Sequence, residues 1–194
     1  MKKSILVVLL LACAVAGAKA QTLTFGVKGG LNVAKLTNID NSHTRASIYA
    51  GGFANFALND MFAVQPELLY SGQGYYYRDA FDNKYTTKLG YINIPVMFQV
   101  HLVEEFFLEA GPQVGFLASS KVKAGKVTVD TKDDMTTADF GLGFGLGYQF
   151  PIGVGVTARY MFGLTDAYKN ATETHKNSVA SIGLSYTFNK KFKL

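Results

Sequence analysis

Four charged residues, Lys28, Glu67, Glu109 and Arg159, stand in runs that are otherwise apolar at every second position. Two bases and two acids so placed could form a proton path or an ion-selective constriction. They could equally pair with one another and fill space, and this outcome is expected because buried charges persist only when paired. The histidines raise the question of nucleophilic chemistry. Ser42 adjoins His43 and Ser178 lies near His175, while His101 has no such neighbour. An activated hydroxyl needs an imidazole within hydrogen-bond reach and a third group orienting it. Neither pair has a recognisable spacing, so no catalytic residue is assigned. No grouping of His, Asp and Glu has metal-ligand spacing, and no metal or cofactor is expected. The run Tyr75-Tyr76-Tyr77-Arg78 offers aromatic and guanidinium anchors of the kind that dominate partner contacts.

The elements that position these residues are legible in the stretch DFGLGFGLGYQF, Asp139 to Phe150. Glycine at alternate positions first suggests a dinucleotide loop, but that motif needs a different spacing and a following helix. Here the glycines repeat with period two and lead into Pro151 and Gly153. Period two is the side-chain repeat of a strand, so Phe140, Leu142, Phe144, Leu146, Tyr148 and Phe150 share one face and the glycines line the other. A strand in a soluble sandwich would present polar side chains opposite its core face. Bulk on one side and almost nothing on the other suits a strand whose large residues meet lipid and whose small ones line a crowded interior.

The same alternation marks eight strands. They run from about Leu23 to Val33, Ala46 to Leu58, Phe62 to Gln73, Leu89 to Leu102, Phe106 to Leu117, Asp139 to Phe150, Val154 to Thr165 and Val179 to Phe188. The second has mixed faces, with Ile48, Ala50, Ala54 and Phe56 competing against Tyr49 and Phe53, and a bulge near Gly51-Gly52 is expected to switch them. Long polar segments, Thr37 to Thr44, Gly74 to Thr87, Ser119 to Thr137 and Asp166 to Asn177, alternate with tight turns at Asn59-Asp60, Val103 to Glu105 and Pro151 to Gly153. Long and short connections therefore lie at opposite ends, as in outer-membrane barrels.

The N-terminus agrees with that location. Lys2 and Lys3 precede the apolar run Ile5 to Val15, and Ala18-Lys19-Ala20 supplies a small-x-small cleavage pattern. Residues 1–20 read as a signal peptide and 21–194 as the barrel domain. Leu10-Leu11-Ala12-Cys13 resembles a lipobox, but apolar sequence continues past it to the second site. Cleavage before Gln21 removes the single cysteine and three lysines, lowering the formal charge from +5 to +2. No disulfide and no nucleic-acid partner are expected.

In hydrocarbon every backbone N–H and C=O needs an internal partner, which a closed barrel supplies without an edge. The expected fold is thus an all-β, eight-stranded antiparallel up-and-down barrel with short periplasmic turns and long extracellular loops. Eight strands enclose an interior that side chains alone can fill, so the glycines make room for large or charged residues from other strands. The four charges point inward, because a lipid-facing charge at that depth is costly. Tyr70, Tyr91, Tyr148, Tyr160 and Tyr186, near strand ends, could form interfacial girdles or simply reflect strand propensity. Asp139, at a strand entrance, is expected to meet solvent.

The sequence resembles the small outer-membrane β-barrel proteins of the PorT-type or "porin family", related in architecture to OmpX and the OmpA barrel. The resemblance is carried by GVKGGLNVAKL at Gly26 to Leu36, QPELLYSGQG at Gln65 to Gly74 and YINIPVMFQV at Tyr91 to Val100. It continues in LEAGPQVGFL at Leu108 to Leu117, DFGLGFGLGY at Asp139 to Tyr148 and GVGVTARYMFGLT at Gly153 to Thr165. It implies a monomeric integral barrel in a Gram-negative outer membrane, surrounded by lipid and lipopolysaccharide, with no shared catalytic residue. A structural, adhesive or partner-binding role through the outer loops, with a protein partner there, is expected. A narrow solute channel and a lipid-modifying enzyme are the alternatives. Such barrels often end on an aromatic residue; here Tyr186-Thr187-Phe188 is followed by Asn189 to Leu194, so the last strand ends at Phe188 or runs on to Phe192 or Leu194.

Overall fold

The computed structural model describes residues 22–37, 42–78, 83–125, 127–167 and 175–188. The expected leader, and the tail after Phe188, lie outside the described residues. The strands are β1 (Thr22–Leu36), β2 (Ser42–Ala57), β3 (Phe62–Arg78), β4 (Lys84–His101), β5 (Phe106–Ala124), β6 (Val127–Asp130), β7 (Ala138–Gln149), β8 (Val154–Gly163) and β9 (Asn177–Thr187). Eight of them close into an antiparallel up-and-down barrel in chain order, with β5 pairing β7 and β9 returning to β1. The ninth, β6, pairs among the described residues with β5 alone and extends one outer hairpin. No described helix is long and apolar enough to cross a membrane, and the strands do the crossing.

The faces follow the alternation. Phe25, Val27, Leu31 and Val33 of β1 are exposed, whereas Lys28 and Asn32 between them are buried. On β7, Phe140, Leu142, Phe144, Leu146 and Tyr148 point outward, and its glycines face the interior. These glycines give space to neighbours. A Cβ at Gly143 would meet Met161 Sδ, and one at Gly147 would meet the Phe107 ring. At Gly145 it would lie 2.7 Å from the Ala158 carbonyl oxygen and 2.9 Å from Glu109 Oε1. Gly145→Val is therefore expected to cost about 1–3 kcal/mol through overpacking, read as a lower denaturation midpoint with an unchanged slope.

Three expectations need correction. The irregularity in β2 lies between Thr44 and Tyr49 rather than at Gly51-Gly52. Tyr49 and Phe53 therefore both point inward, and Ile48 outward, without a change of face. Tyr91 is buried in the lumen instead of contributing to a girdle, because its neighbour Ile92 takes the lipid-facing position; Tyr70, Tyr148, Tyr160 and Tyr186 do point outward. The outer ends of β3, β4 and β5 also extend well beyond the apolar runs. Their upper residues mix tyrosines, threonines, serines and lysines on both faces, so a clean apolar face stops before the hydrogen-bonded ladder does.

Candidate functional site: the barrel interior

The four charges from β1, β3, β5 and β8 meet at one level of the lumen. Arg159 Nη1 donates to Glu67 Oε2 at 2.8 Å, and Nη2 to Glu67 Oε1 at 2.8 Å. The same guanidinium reaches Glu109 Oε1 through Nε at 2.7 Å. Lys28 Nζ completes the set on Glu67 Oε1 at 2.9 Å. Two positive and two negative groups balance, and all four residues are buried. The planar fork of arginine can grip one carboxylate bidentately and still present a third N–H to another. The register explains the meeting, since Gly145 is the cross-strand partner of both Glu109 and Arg159. A side chain there would separate them.

Amides brace the carboxylates from the periplasmic side. Gln65 Nε2 donates to Glu67 Oε1 at 2.8 Å, and Gln99 Nε2 to Glu109 Oε2 at 3.3 Å. Asn55 Nδ2 then joins Gln65 Oε1 and Gln99 Oε1 at 3.1 and 2.8 Å. Gln65 and Gln99 occupy inward positions visible in the alternation, but nothing in sequence shows that Asn55 would link them. Below the amides a cavity of about 300 Å³ runs between Phe53, Phe107 and Gln149, with Glu104 and Glu105 among its lining residues.

Toward the outer face the network is followed by buried amides and hydroxyls, among them Asn32, Ser71, Gln73 and Asn93, and then by an apolar layer. Leu36, Tyr75, Leu89, Tyr91, Leu117, Met135 and Ala167 form one buried cluster across the barrel mouth. Met135 and Ala167 come from outer connections, and these two described stretches meet over the lumen; Thr136 N donates to the Ala167 carbonyl at 2.9 Å and ties them together. Met135 and Ala167 stand in polar segments that hold other apolar residues too, Val122, Val127 and Val129 among them, and no spacing marks the two as cap residues.

The chain matches the family model described as the outer membrane protein beta-barrel domain over residues 19–169. It belongs to that family. The barrel is accordingly an integral protein of a Gram-negative outer membrane, and its exposed apolar belt faces lipid. The solved structure of Neisserial surface protein A has the same fold, with a TM-score of 0.57 and 16 % identity, covering 84 % of this chain and 97 % of that one. Ail of Yersinia pestis aligns with a TM-score of 0.49 and 11 % identity over 87 % of this chain and 99 % of that one. OprG of Pseudomonas aeruginosa aligns with 0.48 and 11 % over 89 % and 99 %. No curated protein sequence matches significantly.

The remaining residues singled out in sequence take varied places on this outer-membrane barrel. Tyr75 to Arg78 lie in β3, not in a loop, and alternation splits them between two faces. Tyr75 joins the cap, and Tyr77 stacks on Tyr85 at 5.0 Å. Tyr76 stacks on His43 at 5.0 Å, with Lys84 Nζ 4.1 Å from its ring centre, and Arg78 is exposed. Asp139 is not simply solvated: it accepts from Thr165 Oγ1 at 2.6 Å and Asn177 Nδ2 at 2.7 Å. His175 Nδ1 lies 3.2 Å from the Thr37 carbonyl oxygen. Ser178 bonds the Tyr160 hydroxyl instead, and His101 packs at 5.4 Å against Phe107. Among the described residues no group of His, Cys, Asp and Glu is placed to hold a metal ion.

Proposed function

We propose that this protein is a sealed barrel that acts through its outer surface, as a membrane-anchored partner-binding or adhesive element, and not as a solute pathway. What carries the reading is two obstructions in series. The charge network of Lys28, Glu67, Glu109 and Arg159 spans the middle of the lumen, and the apolar cap lies above it. A solute entering from the periplasmic cavity would have to break several charge-assisted hydrogen bonds and then cross a layer of packed side chains. The outer hairpins, in contrast, present Tyr76, Lys84 and Arg78 on strands held rigid by the barrel ladder, and rigid aromatic and basic anchors suit protein contacts.

Two measurements test the two halves of this reading. Vesicles carrying the protein should swell in isotonic glycine or arabinose no faster than protein-free vesicles; swelling in proportion to protein content contradicts the seal. Cells displaying Tyr76→Ser/Lys84→Ser should lose the surface attachment or cell aggregation that the wild type confers, while keeping heat-modifiable gel mobility. Unchanged attachment removes the outer ridge from the account.

A further inference from the structure

Above the lipid-facing belt, on the outer wall, the strand register sets lysines against one another. Lys88 on β4 is the direct cross-strand partner of Lys121 on β5, and both are exposed. Like charges directly opposite cost stability, so the sheet itself gives no reason for the pair. Lys123, at the next outward position of β5, is exposed as well. None of the three forms an ion pair with a described residue; such pairs belong to the lumen network. Asp130 on β6 is the register partner of Lys121, yet its Oδ1 accepts the Lys132 N–H at 3.0 Å, and it is one acid beside three bases.

Beneath the lysines two glycines lie side by side on the outward face. Gly72 and Gly90 are cross-strand partners, and Gly90 pairs with Ser119 on its other side. A Cβ at Gly90 would lie 2.6 Å from Ser119 Oγ and 2.8 Å from the Tyr70 hydroxyl, so two hydroxyls converge on the glycine. The register shift between Gly90 and Tyr91 gives β5 an extra residue there and brings Ser119 to this face. Tyr70 and Ile92, themselves partners, form the upper edge of the exposed apolar belt. Lys88 lies four residues beyond Ile92, ~13 Å along the strand at a rise of about 3.3 Å per residue. That offset sets Lys88 beyond the apolar belt, on the side of the headgroups.

We infer that Lys88 and Lys121 clamp a phosphate of a phosphorylated glycolipid of the outer leaflet, with the Ser119 and Tyr70 hydroxyls donating to the same group. A phosphate between the two ammoniums converts a repulsive pair into two attractive contacts. The apolar belt directly below points to a ligand that carries acyl chains as well as phosphate, which a soluble anion does not. The inference is independent of whether the hairpins meet a protein partner.

The test uses the mature chain refolded into phosphatidylcholine vesicles with or without bisphosphorylated lipid A. Lipid A binding is read by native mass spectrometry after detergent exchange. Lys88→Gln/Lys121→Gln should weaken binding about tenfold, the effect of losing charge-assisted contacts worth roughly 1.4 kcal/mol. Lys88→Arg should retain it, as should the control Lys132→Gln. The melting temperature supplies a second reading with opposite signs. In phosphatidylcholine alone Lys88→Gln should melt at or above the wild type, because repulsion is relieved; with lipid A the wild type should gain and the variant should not. Equal lipid A binding by wild type and double variant overturns the site. So does wild-type binding of dephosphorylated lipid A, inorganic phosphate or a sulfated glycan as tight as that of the phosphorylated lipid.

Discussion

Replacing Arg159 with methionine is expected to destabilise the barrel by about 3–5 kcal/mol, the largest effect of any single change considered, because it leaves buried carboxylates without their guanidinium. Three charge-assisted bonds vanish together, two to Glu67 and one to Glu109. The rescue should be unequal. Adding Glu109→Gln leaves Lys28 and Glu67, which are already paired at 2.9 Å, so the remaining charges balance in contact and most of the loss should be recovered. Adding Glu67→Gln instead strands Lys28 and Glu109, which share no ion pair in the structure, and recovery should be small. Urea unfolding of the single and double variants in lipid vesicles, arranged as two double-mutant cycles, measures both couplings. Additive losses in both cycles would mean that the four residues do not act as one network.

The second large effect lies on the opposite face of the same strands. Phe144, 53 % exposed, sits at the middle of β7 with its ring toward lipid, edge-on to Phe162 at 6.1 Å. Phe144→Arg should cost about 2–4 kcal/mol if the position is at the bilayer midplane, where no neighbouring carboxylate can compensate the charge. Thr157→Ser, which keeps a hydroxyl on the buried inward face, should change the unfolding free energy little. Comparable losses at the two positions would reverse the assignment of lipid and lumen faces.

These contrasts show where sequence was informative. Alternation on β7 was enough to place Phe144 outward and Gly145 inward, because the two-residue period of a strand leaves no freedom once one face is fixed. It placed Lys28, Glu67, Glu109 and Arg159 inside for the same reason. It could not give their common level, since depth depends on the stagger between strands and not on the sequence of any one. The expected bulge at Gly51-Gly52 shows the related difficulty: glycine permits an irregularity without requiring it, and Tyr49 and Phe53 found room inside because glycines face them. A Cβ at Gly26 or Gly183 would meet those two rings. The upper hairpins resemble loops in sequence because tyrosines, threonines and serines on both faces blur the period of two. In Tyr75 to Arg78 the residue types signal contact chemistry, while nothing in the run itself signals the strand that turns Tyr75 and Tyr77 inward and Tyr76 outward. The cap residues Met135 and Ala167 had no periodic neighbours at all, and only the fold of the outer connections brings them over the lumen.

The claim on which the rest depends is that the interior is closed, and ionic conductance in a planar bilayer tests it most directly. Wild-type protein inserted at single-molecule density should show no steady step under symmetric salt if the paired charges and the apolar cap obstruct the lumen as proposed. Steady openings of reproducible size from the wild-type chain would contradict the seal, and with it the assignment of the network as a plug.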